Sequence, residues 1–506
     1  MEFTGKAAIE KVHDDSSTDS RLCSRRELLV GALASGLSLS LPIPVLARII
    51  EGEEVMSSSN AITGTGNSDR KPNIVLIFID DMGWVDAGCY GSKFFKTPNI
   101  DRLAAEGMRF TDGYSASPVC SPTRAALMTG KDPARLHLTS FSGTQGPTPQ
   151  QKLKPPTFEK RLTHDEAVIA KVLKSAGYVS ACIGKWDLGG RPYFPEDHGF
   201  DVSFGAMGGG MVPTHFYPWG GHWNVEGKEG EYLTDRLTEE AENFIEANKE
   251  KPFFLYLSHY AVHLPLEGKE EVIEKYQDKV KPDEGQNNPV YAAMMESVDD
   301  CVGRIMAKLE ETGVADNTVL IFTSDNGGLD ISELGYAPAT SNAPLRDGKG
   351  RLYEGGIRVP LIVRWPGKVQ AGSECAVPVS TYDFYPTMLD IAGVEQKEQI
   401  VDGENIVPLL KGGDGLERDA IYWHFPHYGN QGGAPGSAIR QDDFKLIKFY
   451  EDNNVELYNL GDDVGEKNNL ADKMPEKAAV LRKKLEDWLK SVDAQMPTRN
   501  PDYSPP

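Results

Sequence analysis

The chain has 506 residues, too many for one small domain and comfortable for two, and its six cysteines are too few for a disulfide scaffold. Apolar residues make up 40%, and the 51 glycines raise the fraction to about half, which excludes a disordered or collagen-like chain and allows a large core. The balance of 53 basic against 75 acidic residues, a net charge of −22, excludes the basic footprint of a nucleic-acid protein and broad capture of polyanions, yet leaves room for an anionic group in a locally basic pocket.

Residues 1–20 are polar and of mixed charge. Ser24-Arg25-Arg26-Glu27-Leu28-Leu29 then leads into an apolar stretch rich in Leu, Ala, Gly and Ser, closing on Val45-Leu46-Ala47, a small-residue cleavage pattern. Residues 1–47 therefore resemble a bacterial twin-arginine signal peptide. The alternative is a membrane anchor, but Pro42 and Pro44 break a run barely long enough for a ~30 Å core. Export by the twin-arginine machinery to the periplasm or beyond is expected, with loss of Cys23 and a flexible leader over 48–70. No other stretch reaches ~18 consecutive apolar residues, so no transmembrane segment is expected in the mature protein.

From Lys71 the pattern is α/β. Asn73–Ile79 is a short, continuous, β-branched apolar run, as a strand covered on both faces would be. Pro252–Leu257 and Thr318–Phe322 read the same way. Between these runs lie helix-period segments at 98–107, 164–176, 233–248 and 291–312. The alternation predicts a large, mostly parallel or mixed sheet flanked by helices, over 71–395. After about residue 395 it stops. Segments 436–440, 443–449 and 454–458 read as antiparallel strands, and 475–492 as an amphipathic helix, giving a smaller C-terminal α+β domain over 396–506.

Three apolar runs end in polar clusters. Asp80-Asp81 follows the first, a segment with His259 and His263 the second, and Asp325-Asn326 lies at the end of the third. In open α/β sheets ligands sit beyond the carboxyl ends of strands, so the clusters can share one crevice. Asp80, Asp81, Asp325 and Asn326 form an all-oxygen set suited to a hard cation such as Ca²⁺ or Mg²⁺. A double Asp at a strand end also serves as a simple cap. Cys120 precedes a helix start, where the helix N-terminus and nearby Arg124 would lower a thiol pKa; a buried structural thiol is the plainer reading.

Cys120-Ser121-Pro122-Thr123-Arg124, running on to Thr129-Gly130, matches the C-x-P-x-R-x-x-x-T-G signature of the type I sulfatases of the alkaline-phosphatase-like superfamily. The resemblance extends to Gly184-Lys185-Trp186-Asp187-Leu188-Gly189, Ser324–Gly328, Pro344–Gly350 and Glu354–Pro360, and so covers about 72–395. It implies that Cys120 is oxidised to formylglycine by a formylglycine-generating enzyme. It also implies that the hydrated aldehyde attacks sulfur through one hydroxyl, held by Ca²⁺ (or Mg²⁺), and expels sulfate through the other. Carried over, Asp80, Asp81, Asp325 and Asn326 hold the metal with residue 120. Arg124 orients the diol, Lys185 and Lys349 clamp sulfate oxygens, and His263 protonates the departing alkoxide.

Asp187 departs from the pattern, which has histidine there. It is the replacement base, or it turns away to pair with Lys185 or Arg191 while His215 or another histidine fills the gap, or the site is impaired. Candidates for reading the substrate are His137, His215, Arg346 and His427, with Arg135, Trp219, His222, Trp223, His424 and Arg440 as weaker ones; packing between domains explains each tryptophan equally well. The expected activity is hydrolysis of sulfate esters, of sulfated carbohydrate by resemblance to bacterial polysaccharide-degrading members. Two alternatives stay open: a phosphonate or phosphodiester hydrolase of the same fold, and an inactive protein that binds sulfated glycans.

Overall fold

The computed structural model describes residues 70–505 except 145, 221–224, 282–284 and 396–398. The segment expected to be a signal peptide, 1–47, the expected leader before Arg70, and His222 and Trp223 lie outside the described residues.

The central sheet takes, in chain order, β1 (Asn73–Ile79), β2 (Met108–Phe110), β3 (Val179–Gly184), β4 (Val202–Phe204), β5 (Phe253–Ser258), β6 (Thr318–Ser324), β7 (Leu361–Arg364) and β8 (Ser373–Cys375). In space the order is β8-β2-β7-β6-β1-β5-β3-β4. Within it β7 runs against both neighbours, while β6, β1, β5, β3 and β4 form a parallel block. The apolar runs become its middle strands because both faces are covered, and every residue of β1, β5 and β6 is buried.

The helices that matter are α1 (Pro98–Glu106), α2 (Cys120–Thr129), α3 (Ile169–Ser175), α4 (Leu233–Asn248), α5 (Pro289–Glu311), α6 (Phe384–Ile391) and α7 (Pro475–Ser491). Alternation along β1 sends Val75, Ile77 and Ile79 into one core with α1, α4 and α5. Ile74, Leu76 and Phe78 enter the opposite core with α2, α3 and α6. Each Leu, Ile or Phe fully buried there contributes about 1.5–3 kcal/mol. Asn288 starts α5 by accepting hydrogen bonds from Val290 N and Tyr291 N, with Pro289 at the first helical position. The helix expected over 164–176 begins only at Ile169, because Val168 is extended and the Ala167 carbonyl accepts from Tyr385 OH, at 2.9 Å, rather than closing a helical turn.

The C-terminal domain carries an antiparallel sheet, β9 (Ile421–Phe425), β10 (Gly436–Gln441), β11 (Phe444–Phe449) and β12 (Val455–Asn459). Ile439, Leu446 and Leu457 pack on Leu481, Leu485 and Leu489 of α7. The other face, with Trp423, Ala438 and Ile447, packs on Tyr114, Val119 and Ala126, next to Cys120. No helix among the described residues is long and apolar enough to cross a membrane.

Candidate active site

β6, β1, β5 and β3 end side by side. The register pairs Ile79 with Ser324, Phe78 with Ser258, and Ser258 with Gly184. Asp325-Asn326, Asp80-Asp81, the segment after β5 and Lys185–Asp187 are therefore delivered to one edge of the sheet. The chain after β5 folds back across β1: Asp80 N donates to Ala261 O at 3.0 Å and Val262 N to Asp80 O at 2.8 Å. This carries His263 to Asp81, with Nε2 3.6 Å from Oδ2. Gly184 has φ 99°, and a Cβ there would meet Ser258 O at 1.9 Å, so only glycine lets β3 run this close before Lys185. Two backbone bonds fasten the loop of Lys349 to the site: Lys349 N to Gly328 O at 3.1 Å, and Gly350 N to Pro118 O at 2.8 Å.

The charges interlock. Lys185 Nζ donates to Asp80 Oδ2 at 2.7 Å, and Lys349 Nζ to Asp81 Oδ2 at 2.8 Å. Asn326 Nδ2 donates to Asp81 Oδ1 at 2.8 Å. Arg124, fully buried beneath the floor, directs its fork at Asp325 Oδ2, with distances of 2.6 and 3.1 Å, and also donates to Ser258 Oγ and Tyr256 OH. Burial works against the Asp81 carboxylate, but Lys349, His263 and Asn326 outweigh it and bring it down to about 2. Burial also opposes the Asp325 carboxylate; Arg124 and Lys185 hold it below the ordinary range. At Asp80 burial prevails over Lys185, and Asp325 and Asp81 push the same way, so it is raised.

A hard cation fits this donor set. Asp80 Oδ1 and Asn326 Oδ1 are buried oxygens with no hydrogen-bond partner among the described residues, a costly state that coordination would relieve. Oxygens of Asp80 and Asp81 also lie within 4.8 Å of a His263 ring nitrogen.

Cys120 opens α2 and, with Lys185, Asp187, His263 and Lys349, lines the floor of a cavity of about 280 Å³. Burial pushes its thiol up, and Lys185 and Lys349 do not compensate. The expected lowering by helix end and arginine is thus overturned, because burial dominates and the Arg124 guanidinium is bound to Asp325. The unmodified thiol is a poor nucleophile here. Asp187 has φ 57°, and its Oδ2 accepts from Ser121 Oγ at 2.7 Å and lies 3.8 Å from Lys185 Nζ. Gly210 packs on it so closely that a Cβ would meet the carboxylate at 2.9 Å. Burial and the Lys349 charge lower His263 to about 3, against the pull of Asp81. With Nδ1 bonded to Leu264 O at 2.8 Å, proton donation from Nε2 requires an anion bound nearby to restore the imidazolium.

None of the four substrate-reading candidates lines this cavity. His137 bonds to Asp493 O, and His427 is buried against Thr139. Arg346 reaches Tyr458 OH and Glu466 O and lies over the Tyr353 ring. His215 is buried with Nε2 3.3 Å from His263 O, and no histidine other than His263 lines the cavity among the described residues. Arg135 pairs with Asp402, Arg440 with Asp112, His424 meets Ser437, and Trp219 is buried in the core. His259 is buried against Cys301. Cys89, Cys182, Cys301 and Cys375 are unpaired thiols. The walls are instead built by Phe141, Met211, Glu333, Leu334, Asn430 and Gln431, none of which the sequence patterns single out.

A family model described as sulfatase matches residues 72–394, and one for the C-terminal region of N-sulphoglucosamine sulphohydrolase matches 347–495. N-acetylgalactosamine-6-sulfatase of Homo sapiens is 37% identical over 388 residues, covering 71% of this chain and 70% of its own. A sulfatase of Formosa agariphila is 32% identical over 506 residues, covering 84% of this chain and 89% of its own. The crystal structure of Ps i-CgsB in complex with k-i-k-neocarrahexaose is similar with a TM-score of 0.71 at 33% identity, covering 84% of this chain and 94% of that one. With these matches joined to the convergent strand-end site, the chain belongs to the sulfatase family and is a sulfuric ester hydrolase.

Proposed function

We propose that the protein hydrolyses sulfate esters of carbohydrates outside the cytoplasm, with formylglycine at position 120 and a hard divalent cation, Ca²⁺ before Mg²⁺. One observation carries this reading: Cys120, Lys185, Asp187, His263 and Lys349 share the floor of one cavity. The sugar part is supported by the names of the relatives, an N-acetylgalactosamine-6-sulfatase and a protein crystallised with a neocarrahexaose. Export is supported by the pattern around Arg25-Arg26, and maturation by a formylglycine-generating enzyme by the segment Cys120–Arg124. The division into a catalytic domain over 71–395 and a C-terminal domain over 396–506 belongs to the same reading, supported by the sulfatase match over 72–394.

When present, formylglycine supplies an oxygen nucleophile for sulfur, and the cation supplies charge neutralisation at the sulfate. Asp80, Asp81, Asp325 and Asn326 would hold the cation, and Arg124 keeps Asp325 ionised. Lys185 and Lys349 contact sulfate oxygens as negative charge moves toward the leaving group. His263, protonated once an anion occupies the floor, gives its Nε2 proton to the departing sugar oxygen. Asp187, held by Ser121, would take up a proton at the floor when sulfate leaves.

The test is sulfate release by protein produced with a formylglycine-generating enzyme. Sulfated galactose and N-acetylgalactosamine should be desulfated faster than phosphonate monoesters and phosphodiesters are cleaved, and Cys120→Ala should abolish release. Capture of sulfated sugar without any release would contradict the proposal in favour of a binding protein.

A further inference from the structure

The cavity above the floor has a lopsided polarity. Beyond Lys185 and Lys349, the charged residues lining it among the described ones are Asp187 and Glu333, with His263 the remaining titratable base. Both lysines are already paired, with Asp80 and Asp81, so neither is spare for a second anion on the substrate. Gln431 is 2% exposed, and its Nε2 donates to Glu333 Oε1 at 2.8 Å. That bond fixes which way the amide points and leaves Gln431 Oε1 buried without a partner. The amide oxygen itself is buried beside Gly350, so the group this stretch of wall presents to the cavity is the Glu333 carboxylate, held in place by Gln431. Leu334 and Met211 stand at the same cavity with 68% and 46% of their surface exposed, although large apolar side chains are usually covered.

A carboxylate in the wall asks for donors. Sugar hydroxyls and the N–H of an acetamido group are donors; carboxylates and sulfates are not. A second anion beside Glu333 meets like charge in a partly dry cavity, where a few ångströms of separation already cost the equivalent of a tenfold rate loss or more. The exposed Leu334 and Met211, with Phe141, offer an apolar surface to the C–H face of a sugar ring.

Resting on the sulfatase reading, we propose that the Glu333–Gln431 wall selects a sugar residue that is neutral apart from the ester being cleaved. A singly sulfated hexose or N-acetylhexosamine is accepted, and a second sulfate or a carboxylate on that residue is rejected.

Matured enzyme is assayed on galactose and N-acetylgalactosamine sulfated once, at each position in turn, on the same sugars sulfated twice, and on sulfated glucuronic acid. Sulfate release from 4-nitrophenyl sulfate, which has no sugar, is measured beside them. The best singly sulfated sugar should exceed its doubly sulfated counterpart and the uronic acid by about tenfold or more in kcat/KM. Glu333→Gln should narrow that ratio severalfold, mainly by lowering KM for the doubly charged sugars. Equal or faster turnover of the doubly charged sugars by wild-type enzyme, with 4-nitrophenyl sulfate also cleaved, overturns the inference and leaves the sulfatase reading standing. Failure to release sulfate from any of them overturns both. An unchanged ratio in Glu333→Gln removes the wall from the explanation.

Discussion

Two groups of ions are buried in this protein. Where the C-terminal sheet meets the catalytic domain, Asp112, Glu354 and Glu466 face Arg358, Arg440 and Lys445 around the hydroxyl of Tyr114. Lys445 Nζ lies 2.9 Å from both Glu354 Oε1 and Glu466 Oε1, and Arg358 Nε lies 2.6 Å from Glu354 Oε2. At the strand ends, Asp80, Asp81 and Asp325 meet Arg124, Lys185 and Lys349, but Asp187 adds a carboxylate and the cluster opens into a cavity. The numbers of ions are nearly alike; the connections are not. The first cluster is closed and joins β10 and β11 to the Glu354–Arg358 segment, so its charges answer one another. Among the described residues Glu466 Oε1 forms no hydrogen bond, but it lies 2.9 Å from Lys445 Nζ; in the second cluster Asp80 Oδ1 and Asn326 Oδ1 are left without a hydrogen-bond partner among the described residues, beside two lysines at the cavity surface. Buried charge arranged to be answered from outside is a site, and buried charge that answers itself is a joint.

Substitutions should separate the two. His263→Ala should cost about 10²–10⁴ in kcat on a sugar sulfate, whose alkoxide needs a proton, and far less on 4-nitrophenyl sulfate, whose leaving group does not. Equal losses on both substrates would take the proton-donor role from His263. Lys349→Ala should lower kcat by about 10²–10³ while moving the thermal midpoint less than a change in the closed cluster does. Lys445→Met should do the reverse: it strands Glu354 and Glu466 and costs about 3–5 kcal/mol of stability, with kcat per folded molecule within about twofold of wild type. A Lys445→Met protein that melts normally but turns over slowly would dissolve the distinction.

The smallest effect is a pH slope. Burial, with Glu354 adding and Lys445 opposing, pushes Glu466 up to about 7. A carboxyl group raised in the folded state binds its proton more tightly there than in the unfolded chain. Its contribution to stability is whole below the unfolded value of 4.5 and is lost as pH rises through about 7. Thermal midpoints measured from pH 5 to 8 should therefore fall more steeply for wild type than for Glu466→Gln. Parallel curves would show that Glu466 titrates normally.

The floor of the site was legible in the sequence because it hangs on strand ends. Asp80-Asp81 and Asp325-Asn326 follow apolar runs whose length and β-branching mark them as strands, and Lys185 and His263 follow strands of the same parallel block. The walls were not legible. Phe141, Glu333 and Gln431 come from three loops far apart in the chain, none with a periodic pattern, and only the closed fold brings them together. His137, His427 and Arg346 are polar residues in loops, which attracts attention, but their partners at Asp493, Thr139 and Tyr458 are long-range contacts that no spacing reveals. The late start of α3 has the same origin, since the Ala167 carbonyl is held by a tyrosine 218 residues away.

The most direct test of the account is a mass spectrum of the peptide containing residue 120, from protein matured in its own host and treated with an aldehyde-trapping reagent. The account predicts a trapped aldehyde at position 120, in the same preparation that releases sulfate. An unmodified thiol there, in protein that has already lost residues 1–47, would contradict it.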